Sequence, residues 1–330
     1  MRRYPIEINN KYGYIDENGS VIIPFKFDFA DDFENDIGFV EMDGLCGFIN
    51  KEGNYIINPK YDDINYFNEG RALVELNHKY GYIDCKGNEV IPIKYEEGKG
   101  FTEGLAAVKV LGKWGYINRK GEVIIPPTFD EANEFEENGF AVVMKNHKYG
   151  YINKEGKCVS NFIYEYANNF SDGLASVGLN GNNVYVDRKF DVIIKANFDF
   201  TTEFLNSTAA VSVENLWGYI NLKGDFIIKP QFSWADSFNT NYAAVSIDDK
   251  YGFIDKLGNA VIPVEYDNVL EYSEGLFSVE VDGKWGFLDL KGEIAIKPSF
   301  DEVENFYDGI CKVILDEKEG YINKHGEFII

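Results

Sequence analysis

Histidine, cysteine and methionine are scarce in this chain, and its bases are outnumbered by its acids. There are three histidines, four cysteines and three methionines, and 32 Lys and Arg stand against 55 Asp and Glu. His78, His147 and His325 lie far apart in sequence, and no His–Cys or His–Asp constellation is visible. Cys46, Cys85, Cys158 and Cys311 form no C-x-x-C pair and fall at four different phases of the repeat described below. A disulfide ladder or zinc site built by repetition would recur at one phase, so neither is expected, and no metal or cofactor is assigned. The shortage of cations leaves a formal net charge of −23. Such a surface repels phosphate backbones and anionic lipid, so nucleic-acid and membrane partners are not expected. No apolar run is long enough to span a bilayer, and the opening MRRYPIEINN lacks the apolar core of a secretory signal. The chain as given reads as cytoplasmic, with a trimmed secreted or surface protein as the alternative.

What the chain does have is a period. An aromatic–Gly–aromatic unit puts its glycine at Gly13, Gly47, Gly81, Gly115, Gly150, Gly218, Gly252, Gly286 and Gly320, in steps of 34 or 35 residues with one double step. Val184 occupies the glycine slot inside the double step, so residues 1–330 read as a single array of ten repeats. Aromatics make up 16% of the chain, enough to build a core from short units.

Repeat 4 is the clearest copy. Leu105–Val110 is an apolar run with β-branched residues (strand A), Trp114–Asn118 is an aromatic strand (B), and Glu122–Ile125 is a third (C). Turns of two to four residues containing glycine separate them, the pattern of consecutive hairpins. Pro126–Pro127 is expected to end the pairing. The unit is thus a three-stranded antiparallel meander. The linker that follows repeats two aromatics, at Phe129 and Phe135 in this copy, with Ala132 midway. That spacing fits a helical turn or a twisted fourth strand, and periodicity does not arbitrate at this length. The linker aromatics read as the cement between units, because a 34-residue meander cannot bury enough apolar surface alone. The strand B glycine is expected to leave room for an aromatic of a neighbouring unit. Three residues past it stands Asp or Asn in every copy, such as Asn118, a short acceptor suited to capping the B–C turn.

Lys113-Trp114-Gly115-Tyr116-Ile117-Asn118, followed by Lys120-Gly121, Val123-Ile124-Ile125-Pro126-Pro127 and Phe129-Asp130, resembles the bacterial WG (KWG) repeat family. The resemblance runs the length of the chain, with Tyr12, Tyr80, Tyr149 and Tyr251 in the tryptophan slot and Cys46, Asn183 and Glu319 departing further. It implies a β-rich tandem array and names no single activity. Propellers usually have four to eight four-stranded blades. Ten three-stranded units therefore point to an open superhelical solenoid, with a closed β-propeller-like ring as the alternative.

Candidate chemistry is thin. The glycines punctuate hairpins and do not form a nucleotide loop, and no catalytic residue is assigned. Repeat 6, around residues 170–203, departs most: Val184 replaces the marker glycine and Phe190 the turn glycine. Repeats 5 and 6 both lack the proline, with Asn161–Phe162 and Lys195–Ala196 in its place. An acidic ladder follows the first linker aromatic, and Asp62, Asp63, Glu96, Glu97, Asp130, Glu131, Asp301 and Glu302 are its candidate interaction residues. Lys11, Lys79, Lys113, Lys148, Lys250 and Lys284 form a row of opposite sign before the aromatic–Gly unit. The expected function is a non-enzymatic scaffold binding another protein, basic in character, along an extended acidic surface. The alternative is a carbohydrate or cell-wall binder that stacks sugars on rows of exposed rings. Exposure of Trp114, Trp217, Trp234 and Trp285 discriminates the two.

Overall fold

The computed structural model describes residues 3–17 and 19–329, and of Ala196 the backbone alone. Ten small antiparallel sheets follow one another along these residues, six of four strands and four of three. In repeat 4 the order across the sheet is Glu97–Gly98, Leu105–Val110, Lys113–Asn118 and Val123–Phe129. The last three are strands A, B and C. The first is a short lead strand, supplied by the linker after the preceding repeat and paired to strand A through Glu97↔Lys109 and Gly98↔Val108. A four-stranded sheet of this kind, whose first strand comes from the neighbouring repeat, is a propeller blade. The fold class is therefore β-propeller, and the expectation of an open superhelical solenoid of three-stranded meanders is corrected. The linker had concealed its strand because only two residues of it pair.

The chain divides into two compact units, Met1–Asn169 and Phe170–Ile330, with five sheets in each. Within each unit the core lies between successive blades. In the first unit, Tyr116, Ile125 and Phe129 of blade 4 form one buried cluster with Ala132, Phe135, Val143 and Ile152 of blade 5. In the second, Tyr185, Ile194 and Phe198 of blade 6 cluster with Phe204, Val211 and Ile220 of blade 7. The second linker aromatic packs on the strand B ring of the blade before it. Tyr116 and Phe135 lie 4.9 Å apart between ring centres, and Tyr185 and Phe204 lie 4.8 Å apart. The tyrosine hydroxyl then donates to a linker carbonyl. Tyr116 reaches Asn133 O at 2.8 Å, Tyr82 reaches Lys99 O at 2.7 Å and Tyr219 reaches Asp236 O at 2.7 Å. A buried ring with its polar tip satisfied adds packing without leaving an unpaired group.

The marker glycine has a cause other than the expected one. Strand C does not end at the prolines. Its register against strand B runs Tyr116↔Ile125 and then Trp114↔Phe129, so four residues of C oppose two of B. The extra residues bulge over Gly115, where an added Cβ would meet Ile125 O at 2.5 Å and Pro127 N at 2.6 Å. The glycine thus makes room for the backbone of its own blade and not for a neighbour's ring. Proline suits the bulge because a bulged residue has no ladder bond to donate.

The same geometry explains repeat 6. There Val184 pairs directly with Lys195, and the register slip moves to the step between Val184 and Asn183, which pairs with Phe198. The side chain of Val184 is buried, so the copy is accommodated and strand C is intact over Val192–Phe198. Phe190, at the turn slot, holds φ at 67°, a left-handed conformation costly for a bulky side chain, and its ring meets Phe170 edge-on at 5.9 Å. Repeat 5 is the irregular one. Its strand C is reduced to the isolated bridges Ile152↔Cys158 and Tyr149↔Tyr164.

Gly115→Ala is expected to cost about 2–4 kcal/mol, because the obstacle is backbone and no side chain can yield. Chemical denaturation checks it, and a cost equal to that of an exposed surface substitution would show that the bulge is not held at Gly115. Amide exchange is expected to be faster across 157–170 than across 184–198, since few ladder bonds protect the former. Equal protection would place the weak point elsewhere.

Candidate interaction surface

The eight acidic candidates fall into two registers. Asp62, Glu96, Asp130 and Asp301 sit between strand C of one blade and the lead strand of the next. Asp63, Glu97, Glu131 and Glu302 are the first residues of those lead strands.

The first set is engaged within the chain. Asp130 receives the ammonium of Lys113, and its other oxygen accepts Asn146 N–H, in the A–B turn of the next blade, at 2.7 Å. Asp301 does the same with Lys284 and with Asp316 N–H at 2.8 Å. Lys11–Asp28, Lys148–Glu165 and Lys250–Asp267 repeat the ion pair at the same separation of 17 residues. Asp62 accepts Asn77 N–H at 2.5 Å, and Glu96 accepts Leu111 and Gly112 N–H at 2.9 and 2.8 Å. At Asp130 and Asp301 the acidic ladder and the lysine row are thus partners. The A–B turns need this acceptor, because both central residues often sit at positive φ, as Asn146 and His147 do at 54° and 60°. The lysine ammonium first, and the turn N–H second, hold the carboxyls of Asp28, Asp130, Asp267 and Asp301 below their usual range. The same hydrogen bond raises Lys11 and Lys250.

The second set is more open. Asp63, Glu97, Glu131 and Glu302 are all exposed. Asp63 caps the N–H of Ile64 at 2.8 Å, Glu97 meets Lys109 at 2.5 Å, and Glu131 accepts the Tyr149 hydroxyl at 2.7 Å. Asp63, Glu97 and Glu131 take the same place on three successive blades of the first unit. The Asp or Asn after strand B caps the B–C turn as expected: Asn118 Oδ1 accepts Lys120 and Glu122 N–H at 2.9 and 3.0 Å.

The tryptophans divide. Trp114 is buried, with 7% of its surface exposed, Trp217 and Trp285 are half-buried, and Trp234 is 41% exposed. They do not make one exposed row. Sequence reasoning missed Phe200, which is 62% exposed. Phe200 and Trp234 hold the lead-strand position that carries Asp63, Glu97 and Glu131 in the first unit. The signal was available, as aromatics at an acidic phase. Among the described residues, no group of three or more His, Cys, Asp or Glu is placed to hold a metal ion.

The profile of the WG containing repeat matches nine consecutive segments, 12–46, 47–80, 80–114, 114–149, 149–182, 185–217, 217–251, 251–285 and 285–318. No protein of curated function matches the sequence. Among solved structures, a eukaryotic initiation factor superposes with a TM-score of 0.57 at 11% identity, over 100% of this chain and 94% of that one. At that identity the likeness concerns the fold alone. Dihydro-heme d1 dehydrogenase NirN gives a TM-score of 0.42 at 11% identity, over 98% of this chain and 75% of the other. Saccharomyces cerevisiae Sqt1 gives 0.39 at 8% identity, over 78% and 91%. Neither bears on the argument.

Because the folded chain depresses these carboxyls, the stability they add is complete above the ordinary carboxylate range, near pH 4, and is lost as pH falls through the lower folded values. Thermal melts at falling pH should show this loss. The combined Asp28→Asn, Asp130→Asn, Asp267→Asn and Asp301→Asn variant should melt lower at neutral pH and lose less on acidification. Parallel curves for variant and parent would mean that the clamps contribute nothing.

Proposed function

Since the chain belongs to the WG-repeat family and folds into propeller blades, we propose that it is a non-enzymatic scaffold that binds another protein, basic in character, through its acidic rows. The observation that carries this reading is the repetition of exposed carboxylates Asp63, Glu97 and Glu131 at one register of successive blades. Regularly spaced like charges on a rigid frame favour an extended partner of opposite sign and speed its encounter. A net charge of −23 supports the same sign of partner and disfavours nucleic acid and membrane surfaces.

The state of the ionisable side chains supports a non-catalytic role. Burial pushes the thiols of Cys46 and Cys311 up to about 11 and about 12, so both stay protonated and poorly nucleophilic at neutral pH. Tyr80, hydrogen-bonded to Glu75, is raised to about 12. Carbohydrate binding is a second reading, favoured by the exposed rings of Phe200 and Trp234 and weakened by the burial of Trp114.

Affinity capture from a lysate with immobilised full-length protein tests the first reading. Retained protein should elute with moderate salt, and the combined Asp63→Asn, Glu97→Gln, Glu131→Gln and Glu302→Gln variant should retain much less. Equal retention by parent and variant would remove the acidic rows from the binding surface.

A further inference from the structure

In blade 4 basic side chains of the chain itself lie over an aromatic ring. Across the sheet, lead-strand Glu97 pairs with Lys109, and Lys109 pairs with Trp114. The ammonium of Lys109 lies over the Trp114 ring, 5.8 Å from its centre, while Glu97 holds that ammonium at 2.5 Å. The ammonium of Lys99 also lies 5.8 Å from the ring centre. A cation over an aromatic face with a carboxylate beside it is a favourable arrangement for a basic side chain.

Blades 7 and 8, both in the second unit, keep the ring and replace the cation. Trp217 stands opposite Ser212, and Ser212 opposite Phe200. Tyr251 stands opposite Ser246, and Ser246 opposite Trp234. Serine thus takes the place of Lys109 in both blades, and an aromatic takes the place of Glu97. Phe200 and Trp217 stack at 6.3 Å with 17° between their planes, and Trp234 meets Tyr251 at 6.0 Å. The clamp lysine is also lost here, since Leu216 holds the position of Lys113 and Ser233 that of Asp130. Leu216 is itself exposed. Trp217 packs on the core shared by blades 7 and 8, which includes Ala235, the residue after Trp234. In the first unit the two equivalent positions, Tyr12 and Phe29, touch at 5.4 Å, so Trp217 and Trp234 occupy neighbouring places.

The rim supplies the carboxylates. The A–B turns of these two blades are Glu214–Asn215 and Asp248–Asp249, all exposed. The lysine that follows the second turn, Lys250, is held by Asp267 at 2.6 Å. The patch therefore offers the exposed rings of Phe200 and Trp234, the half-buried ring of Trp217 and unneutralised acids side by side.

We propose that the A–B-turn end of blades 7 and 8 docks an extended basic peptide segment of a partner protein, whose arginine or lysine side chains lie over Phe200, Trp217 and Trp234 against Glu214, Asp248 and Asp249. The inference rests on the binding-scaffold reading and names the partner chemistry of one part of it. Arginine is favoured over lysine because its planar guanidinium stacks on rings while still donating to carboxylates. Sugars use ring faces too, but they have no use for a rim of like charge.

Intrinsic tryptophan fluorescence of the full-length protein reads the site. Three probes are titrated: a short peptide alternating arginine with glycine, its glutamate counterpart, and a neutral β-linked oligosaccharide. The arginine peptide should change the emission saturably, more weakly at high salt, and the other two should not. The deciding variant is Phe200→Glu with Trp234→Glu, which removes exposed rings and adds negative charge; an unchanged melting temperature shows that it folds. Its affinity for the arginine peptide should fall about tenfold despite the added charge, the size expected for losing stacked cation–ring contacts. Stronger binding by this variant would reduce the effect to general electrostatics and overturn the proposal. Ring-dependent binding of the oligosaccharide without salt dependence would overturn it in favour of a sugar site, and no response to any probe would overturn it outright. Should the peptide fail while lysate capture still depends on Asp63, Glu97, Glu131 and Glu302, only this inference falls and the scaffold reading stands.

Discussion

The ring of Tyr116 is buried by a residue outside its own repeat sheet. Phe135 packs on it from the linker to the next blade, and Asn133 of the same linker accepts its hydroxyl. The arrangement recurs because a 34-residue blade has two apolar faces and too little surface to cover either alone. The lead strand answers part of that need by tying the linker to strand A of the next blade, which fixes the distance at which the aromatic is delivered. The lysine–aspartate pair and the carboxylate-capped A–B turn then hold the linker at one end of the sheet. A second set of contacts joins the turn before strand A of one blade to the turns of the next. Glu69 binds Arg119 at 2.9 Å, and Glu274 binds Lys324 at 2.9 Å and the N–H of Gly309 at 2.9 Å. Exposed ion pairs of this kind add little singly, so the buried rings set the geometry and the polar contacts keep its register.

Much of this was legible in the sequence, for a specific reason. Features repeated at one phase report local geometry faithfully, and so the turn cap at Asn118 and the burial of Phe135 follow from periodicity alone. What periodicity withholds is which segment meets which. The glycine slot at Gly115 reports that something approaches and not what approaches, so a neighbour's ring fits it as well as backbone does. Strand C itself approaches, through a bulge that four-against-two pairing with strand B requires. The link between Lys113 and Asp130 is hidden for a similar reason. They lie 17 residues apart, half a repeat, a distance that acquires meaning only once the linker is known to turn back beside strand B. The propeller class was hidden behind a lead strand of two paired residues, too short for any alternation to register.

The middle repeats show how sequence and structural irregularity come apart. Repeat 6 loses both diagnostic glycines, yet Val184 joins the ladder and strand C remains whole. Repeat 5 keeps its marker glycine and loses the strand. Its isoleucine slot in strand C is Ser160, whose hydroxyl accepts Tyr151 N–H at 2.8 Å and donates to Asn161 O at 3.0 Å. A side chain that satisfies local backbone groups competes with the ladder, whereas a valine at a glycine position only shifts it. The chemistry of the replacement therefore matters more than whether the marker is kept.

That principle also bears on the lead-strand position. In the first unit the lead-strand position is acidic on three successive blades, and each carboxylate already has a partner inside the chain: Ile64 N–H, Lys109 or Tyr149. In blades 7 and 8 the same position is aromatic, the facing strand A residue is serine, and the rings stay uncovered. The hydroxyl of Ser212 has no hydrogen-bond partner although it is buried. A buried unpaired hydroxyl costs stability, and a valine there would avoid the cost. Small size is what the site gains from serine, because the Phe200 and Trp217 rings meet across it. Repetition has thus produced a frame in which most polar positions serve the fold, and blades 7 and 8 depart from it together, with an aromatic on the lead strand and a serine facing it on strand A.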